Sequence, residues 1–335
     1  QGIVNRVVYT PPVRDIHVLF VSSGKGFPYS PIDEAIIGTL HGMVRQVSLT
    51  DAKQDVAAEA SRTRPDLVLV LDGMYLPVEQ MDAVRAMDIR TAVWMTDDPY
   101  YTDMTVDWIH HYDYVFTLEL NCVAHYQNLG CSQVHYLPFA AFPVHYRPIA
   151  MPGAAKRDIG FVGTAYPKRI QFFEPIMDQL MAHRTFINGN WWEKFPGYGR
   201  FNNQIEINKW MGPAETADVY NSAKIVINLH RAVDDDEINQ NSGHIPAVSP
   251  NPRTFEISAC GTLQLCDERS DLARFYTPGV EIDTYRSQGE LLEKVEYYLA
   301  NDHLRKEIAH RALERTYQEH TYAHRLNTLF SVIFP

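Results

Sequence analysis

Asp158-Ile159-Gly160-Phe161-Val162-Gly163 runs into Thr164-Ala165-Tyr166 and then Pro167-Lys168-Arg169 near the middle of the chain. An apolar run ends in glycine, a short loop follows, and a proline opens a new stretch. There Phe173, Ile176, Met177, Leu180 and Met181 fall on one face of a helix over Lys168–His183. Strand, turn and helix in this order begin a parallel α/β unit. The helix start offers free N–H groups and the positive end of the helix dipole. With Gly163, Lys168 and Arg169 around it, it suits a diphosphate; simple solvation of the two cations is the competing reading.

The same alternation extends outward on both sides. Upstream, strands are expected at Ile16–Ser22, Leu67–Leu71, Thr91–Met95 and Tyr114–Leu118, with helices at Pro31–Val44, Asp55–Arg64, Val78–Met87 and Asn121–Leu129. The proline-rich stretch Phe139–Gly153 has no clean period and reads as the linker. Downstream, strands are expected at Lys224–Leu229, Leu263–Cys266 and Val280–Thr284. Ser287 and Glu290 form a capping box for a helix to Leu299, and Asp302–Phe330 reads as a helical tail. The expectation is two Rossmann-like, doubly wound α/β domains, residues 1–150 and 151–335, facing a central cleft at the carboxyl ends of their sheets. The last helix is expected to cross back to the first domain.

Composition narrows the function classes. A chain of 335 residues fits two domains of about 150 each. It is 45% hydrophobic and 21% charged, as folded proteins are, and its net charge of -11 repels nucleic acid and anionic membranes. Four cysteines without CxxC spacing read as buried thiols of a reducing, cytoplasmic compartment. Gln1–Thr10 has no apolar signal core, and no window approaches the ~20 apolar residues of a membrane span.

Several segments carry candidate chemistry. Gly24-Lys25-Gly26 follows the first strand but fits neither the dinucleotide fingerprint nor a P-loop; Gly24 and Gly26 allow a ligand close to the backbone, or make a tight turn. Asp97-Asp98 ends a central strand, where carboxylates hold sugar hydroxyls, bind a cation or act as a base; capping ahead of Pro99 is the alternative. The strand ending Asn228-Leu229-His230-Arg231 leads, through a polar loop, to Ser249-Pro250-Asn251-Pro252-Arg253-Thr254-Phe255-Glu256. Arg253 and Glu256 share a helical face: the carboxylate can take both hydroxyls of a ribose and the arginine a phosphate, or the two simply pair. His230 joins Asp97, Asp98 and Arg253 in the expected catalytic set.

Asp234-Asp235-Asp236-Glu237 contains an Asp-x-Asp of the kind that holds a divalent cation. Its polar flanks Asn239, Asn241, Ser242 and Gly243 read as a mobile, solvated loop, and no metal is expected there. Fourteen histidines show no HExxH spacing; His110, His111, His320 and His324 read as surface or packing residues. Trp191-Trp192 either stacks a base or sugar or is buried at a strand end.

Arg253-Thr-Phe-Glu256-Ile-Ser-Ala-Cys-Gly261 resembles the FE-x-x-ACG signature of the CgeB-like spore-maturation glycosyltransferases. Trp94–Tyr101, Gly160–Arg169, Asn188–Trp191, Lys224–Arg231 and Glu319–Arg325 also resemble that family, so the likeness covers nearly the whole chain. It implies the GT-B fold, with the acceptor on the N-terminal domain and the nucleotide-sugar donor on the C-terminal one. It implies that Glu256 binds ribose and that Lys168 or Arg169 binds donor phosphate. Where the wider retaining superfamily usually has a second glutamate, eight residues before Glu256, this chain has Val248. That leaves Asn251, Ser249 or backbone amides for the sugar.

The function expected is therefore transfer of a sugar from a nucleotide-diphospho-sugar, UDP preferred on superfamily frequency, to an unknown hydroxyl acceptor. Retention is expected, without metal or cofactor, and UDP is the expected bound product. A nucleotide-sugar 2-epimerase would use Asp97 and Asp98 as acid and base. A non-catalytic glycan- or nucleotide-binding protein with the same fold is the third reading.

Overall fold

The computed structural model describes residues 9–153, 156–207 and 210–335; most of the Gln1–Thr10 segment lies outside the described residues. The chain forms two compact units. The first comprises residues 10–139, 236–249 and 322–335, and the second 140–235 and 250–321.

The first unit holds strands β1 (Arg14–Ser22), β2 (Val44–Asp51), β3 (Leu67–Leu71), β4 (Arg90–Trp94), β5 (Tyr114–Thr117) and β6 (Val134–Tyr136). Helices α1 (Ser30–Leu40), α2 (Val56–Thr63), α3 (Val78–Arg85) and α4 (Leu120–Asn128) lie between them in sequence. The strands pair in parallel in the order β2-β1-β3-β4-β5-β6. β3 is buried along its whole length, as a central strand covered on both faces must be, hence its unbroken Leu-Val-Leu-Val-Leu. β2 is a sheet-edge strand with exposed Arg45 and Gln46. Its mixed polarity hides it from a search for apolar runs, and the helix expected to reach Val44 ends at Leu40.

The second unit holds β7 (Arg157–Val162), β8 (Thr185–Asn188), β9 (Ile205–Glu206), β10 (Ala223–Asn228), β11 (Leu263–Asp267) and β12 (Asp283–Tyr285). Its helices are α5 (Pro167–Phe173), α6 (Met177–Met181), α7 (Tyr198–Phe201), α8 (Pro213–Ser222), α9 (Pro252–Ala259), α10 (Gln288–Ala300) and α11 (Asp302–Glu319). The order β12-β11-β10-β7-β8-β9, again all parallel, is the doubly wound order. The helix expected to run unbroken over Lys168–His183 is split by a 3₁₀ turn at Glu174–Ile176, because Pro175 has no N–H to donate and crowds the preceding turn. At α10, Ser287 Oγ accepts from Glu290 N at 3.2 Å, while Glu290 Oε2 accepts from Arg286 N at 2.9 Å.

The helical tail is two helices. After α11, α12 (Tyr322–Ile333) belongs to the first unit, where Tyr322 packs near Trp94 and Phe139 in a buried aromatic group. The division between units falls after Phe139 rather than at residue 150, and residues 236–249 return to the first unit. That return corrects the reading of the polar loop as mobile. Asn241 is buried, Thr102 Oγ1 donates to Asn241 Oδ1 at 3.2 Å, and the Val248 and Ser249 amides both donate to buried Glu119 at 3.1 Å. Side-chain amides and carboxylates satisfy the backbone of a segment whose sequence looks merely solvated.

Candidate functional site

In the second sheet the strand order reverses between β7 and β10, so the loops leaving their carboxyl ends diverge and open a crevice. Gly163 ends the first of these strands and Leu229-His230-Arg231 follows the second. Arg169 is buried and donates through Nη1 to Thr164 O at 2.9 Å and through Nη2 to Leu229 O at 2.8 Å. Arg253 reaches the same Leu229 carbonyl at 3.5 Å, and its buried Nε has no partner among the described residues. A β-carbon at Gly163 would lie 3.1 Å from Arg169 Nη1 and 3.3 Å from Arg253 Nη1. Buried Arg231 stacks over the Tyr166 ring at 4.6 Å, and Arg169 lies over the same ring at 5.2 Å. Three guanidiniums thus gather at one strand end, where they suit a multiply charged oxyanion.

The loop is held close by a second glycine. A β-carbon on Gly189 would meet the Gly163 carbonyl oxygen at 2.0 Å, so only glycine fits. Trp192, fully buried, donates Nε1 to that carbonyl at 2.9 Å, which makes it a core residue; Trp191 is half-buried, edge-on to Tyr166 at 5.6 Å.

Glu256 is half-buried one turn along α9 from Arg253, yet it makes no ion pair with Arg253 and its carboxylate has no hydrogen-bond partner among the described residues. Burial pushes its carboxyl up to about 7, opposed by the nearby Arg253 charge. A carboxylate placed in poor solvent without a partner has free acceptor capacity for paired hydroxyls.

Two residues of the expected set have other work. His230 is buried: Nδ1 is 2.6 Å from Asp267 Oδ1, and Nε2 accepts the Asn251 amide at 2.9 Å. Both ring nitrogens are committed, which fixes the neutral Nδ1–H tautomer, and burial lowers the ring to about 4. Asp267, although burial pushes it up, is held well below the usual carboxylate range by His230 and Arg269. His230 is thus a brace for the start of α9 and not a group facing a ligand. Asn251 is the N-cap of α9: its Oδ1 accepts from Thr254 N at 3.1 Å, and its Nδ2 donates to Asn228 Oδ1 at 2.8 Å. That cap role uses the side chain offered for the sugar.

Lys168 is exposed, with Nζ 2.7 Å from Asp234, and its amide donates to Asp235 Oδ1 at 2.9 Å. The start of α5 is therefore capped by an acid of the chain itself. Asp234 and Asp235 are used in this way, while Asp236 and Glu237 are exposed. Among the described residues one group has metal-ligand spacing, His230, Cys266 and Asp267. His230 and Asp267 there are already hydrogen-bonded, and Arg269 takes the other Asp267 oxygen at 2.8 Å.

The first sheet reverses between β1 and β3. Gly24 and Gly26 both take positive φ, +68° and +69°, and bring Lys25 back over the sheet end. Its ammonium lies 2.5 Å from buried Asp72 and 3.9 Å from Asp97. Asp97 Oδ2 accepts from Tyr29 Oη at 2.8 Å and Thr96 Oγ1 at 2.9 Å. Asp98 turns the other way: it is buried, accepts from Thr117 Oγ1 at 2.5 Å and Tyr126 Oη at 2.6 Å, and burial raises its carboxyl to about 7. The aspartate pair is thus split, and only Asp97 opens outward. Sequence reasoning left out Lys25 and Asp72; the signal was Asp72-Gly73 at the end of β3, a second strand end beside the first.

A glycosyl transferase-like family profile matches residues 168–331. Spore protein CgeB of Bacillus subtilis is 29% identical over 296 residues, covering 87% of this chain and 90% of that protein. Among solved structures, HepE of Anabaena in complex with UDP and glucose aligns with a TM-score of 0.65 at 11% identity, over 95% of this chain and 99% of that one. Sucrose-phosphate synthase of Thermosynechococcus elongatus aligns with a TM-score of 0.63 at 10% identity, over 97% and 99%. The fold is GT-B. No helix among the described residues is long and apolar enough to cross a membrane.

Proposed function

We propose that this CgeB-like glycosyltransferase binds a UDP-sugar on its second unit and transfers the sugar to an acceptor hydroxyl. The observation that carries the donor site is the convergence of the Arg169 and Arg253 guanidiniums on the bare Cα of Gly163. UDP is preferred because the structural neighbour HepE is described with UDP and glucose.

The diphosphate lies against Arg169 and Arg253, with Arg231 adding charge, and Glu256 accepts both ribose hydroxyls. These donors stabilise the leaving diphosphate as its charge develops. Glycosyl transfer proceeds with retention: the acceptor oxygen attacks on the face from which the phosphate departs, and the departing phosphate oxygen takes the acceptor proton. Asp97, on the first unit, receives the acceptor hydroxyl. Three guanidiniums meet the charge of the diphosphate, so no metal or cofactor is required.

The test is a thermal-shift panel of UDP, GDP, TDP, ADP and their sugars, followed by donor turnover in excess EDTA. UDP should raise the melting temperature most. Activity that disappears under chelation and returns with magnesium or manganese would overturn the metal-free reading. The epimerase reading loses its acid–base pair, because Asp98 is buried against Thr117 and Tyr126.

A further inference from the structure

We infer that the end of the β1–β3 crevice in the first unit is a sugar-binding subsite, with Tyr75 as its stacking platform and Asp97 as the acceptor of a hydroxyl from a neutral pyranose. It rests on the glycosyl-transfer reading and names the class of acceptor: a carbohydrate, as opposed to a protein hydroxyl or an anionic metabolite.

Three observations converge. Asp97 Oδ2 accepts from Tyr29 and shares the single Thr96 hydroxyl proton with Asp72, with Lys25 at 3.9 Å, whereas Oδ1 has no partner among the described residues. The side chain is 24% exposed. A carboxylate oxygen only accepts, so whatever meets Oδ1 must donate, as a sugar hydroxyl does. The charge selects further: Asp72 and Asp97 outnumber Lys25, so a phosphate or carboxylate ligand is repelled and a neutral one is not.

Tyr75 supplies the apolar half. It is 55% exposed, and its ring lies 5.7 Å from Lys25 Nζ, which also lies over the Tyr29 ring at 4.6 Å. An exposed aromatic face beside a fixed hydrogen-bond acceptor matches a pyranose, which has a C–H face and a rim of hydroxyls. The platform is held in place from below. Asp72 and Gly73 take successive positive φ values of +74° and +83°, and a β-carbon on Gly73 would lie 3.0 Å from Trp108 and 3.1 Å from Tyr112. Asp72, in a conformation uncommon for residues with a β-carbon, is fixed by Lys25 and by Thr96 Oγ1 at 3.2 Å.

The full chain is applied to a printed array of neutral pyranose oligosaccharides, alongside Tyr75→Ala, Tyr75→Trp and Asp97→Asn. The expected result is retention on at least one glycan, weakened fivefold or more by Tyr75→Ala and Asp97→Asn and kept by Tyr75→Trp. Retention indifferent to both residues, or no retention on any glycan, overturns the subsite. UDP titrated against the wild-type chain separates this from the donor reading: a chain that fails to bind UDP sinks the transferase proposal, while the array decides the subsite by the same criterion.

Discussion

The Asn251 amide donates to Nε2 of His230 at 2.9 Å, and through that bond the imidazole sets the first turn of the helix that carries Arg253 and Glu256. The other ring nitrogen is spent on Asp267. A histidine at a strand end in a ligand crevice is therefore part of the frame, and the groups it positions are the ones that face the ligand.

His230→Ala should cost about 2–4 kcal/mol of stability by leaving the Asn251 amide without its acceptor and removing the ring N–H from buried Asp267, which keeps the residue-230 amide and Arg269. The native ring, lowered to about 4, resists a proton that the unfolded chain accepts near 6.5. Its contribution is thus complete above pH 6.5 and lost as pH falls toward 4. Urea unfolding at pH 7.5 and pH 5 should show a smaller acid loss in the variant than in wild type. Equal losses would mean that the ring is not held neutral.

Glu256→Gln should weaken UDP binding by roughly 1–3 kcal/mol, read by calorimetry. The native carboxyl, raised to about 7, holds a proton that the unfolded chain releases near 4.5, so this group favours the fold below pH 4.5 and ceases to as pH rises through 7. The variant should melt no lower than wild type at pH 8. A melting point several degrees lower there would make Glu256 a structural residue.

Gly163→Ala should reduce UDP affinity by about tenfold or more while the chain still folds, because the added methyl meets Arg169 and Arg253 within 3.3 Å and moves their guanidiniums off the phosphate. Circular dichroism separates a folded, weak binder from a misfolded one. Unchanged affinity would place the diphosphate elsewhere.

The two aspartates should part company. Asp98→Ala removes the buried carboxylate to which the Thr117 and Tyr126 hydroxyls both donate and should cost about 2–4 kcal/mol in chemical denaturation. Asp97→Asn should cost less than about 1 kcal/mol, since the group is partly solvated, yet should impair transfer to acceptor far more than UDP binding. Similar stability losses would contradict the division of roles.

The sequence alone determined the parallel α/β class, the restart of the pattern at Asp158 and the place of Arg253 and Glu256 on one helical face. These depend on local periods and on neighbours three residues apart, which any chain segment displays without its partners. It did not show β2, whose edge position lets polar residues occupy a strand, nor the break at Pro175, which an otherwise helical apolar face conceals. Only tertiary structure decided which polar groups were already spoken for. His230, Asn251 and Asp98 look as available in the sequence as Glu256 and Asp97, but their partners, Asp267, Asn228, Thr117 and Tyr126, stand on three strands and a helix. A side chain's freedom to meet a ligand is set by what surrounds it in space, and burial changes its charge as well as its reach.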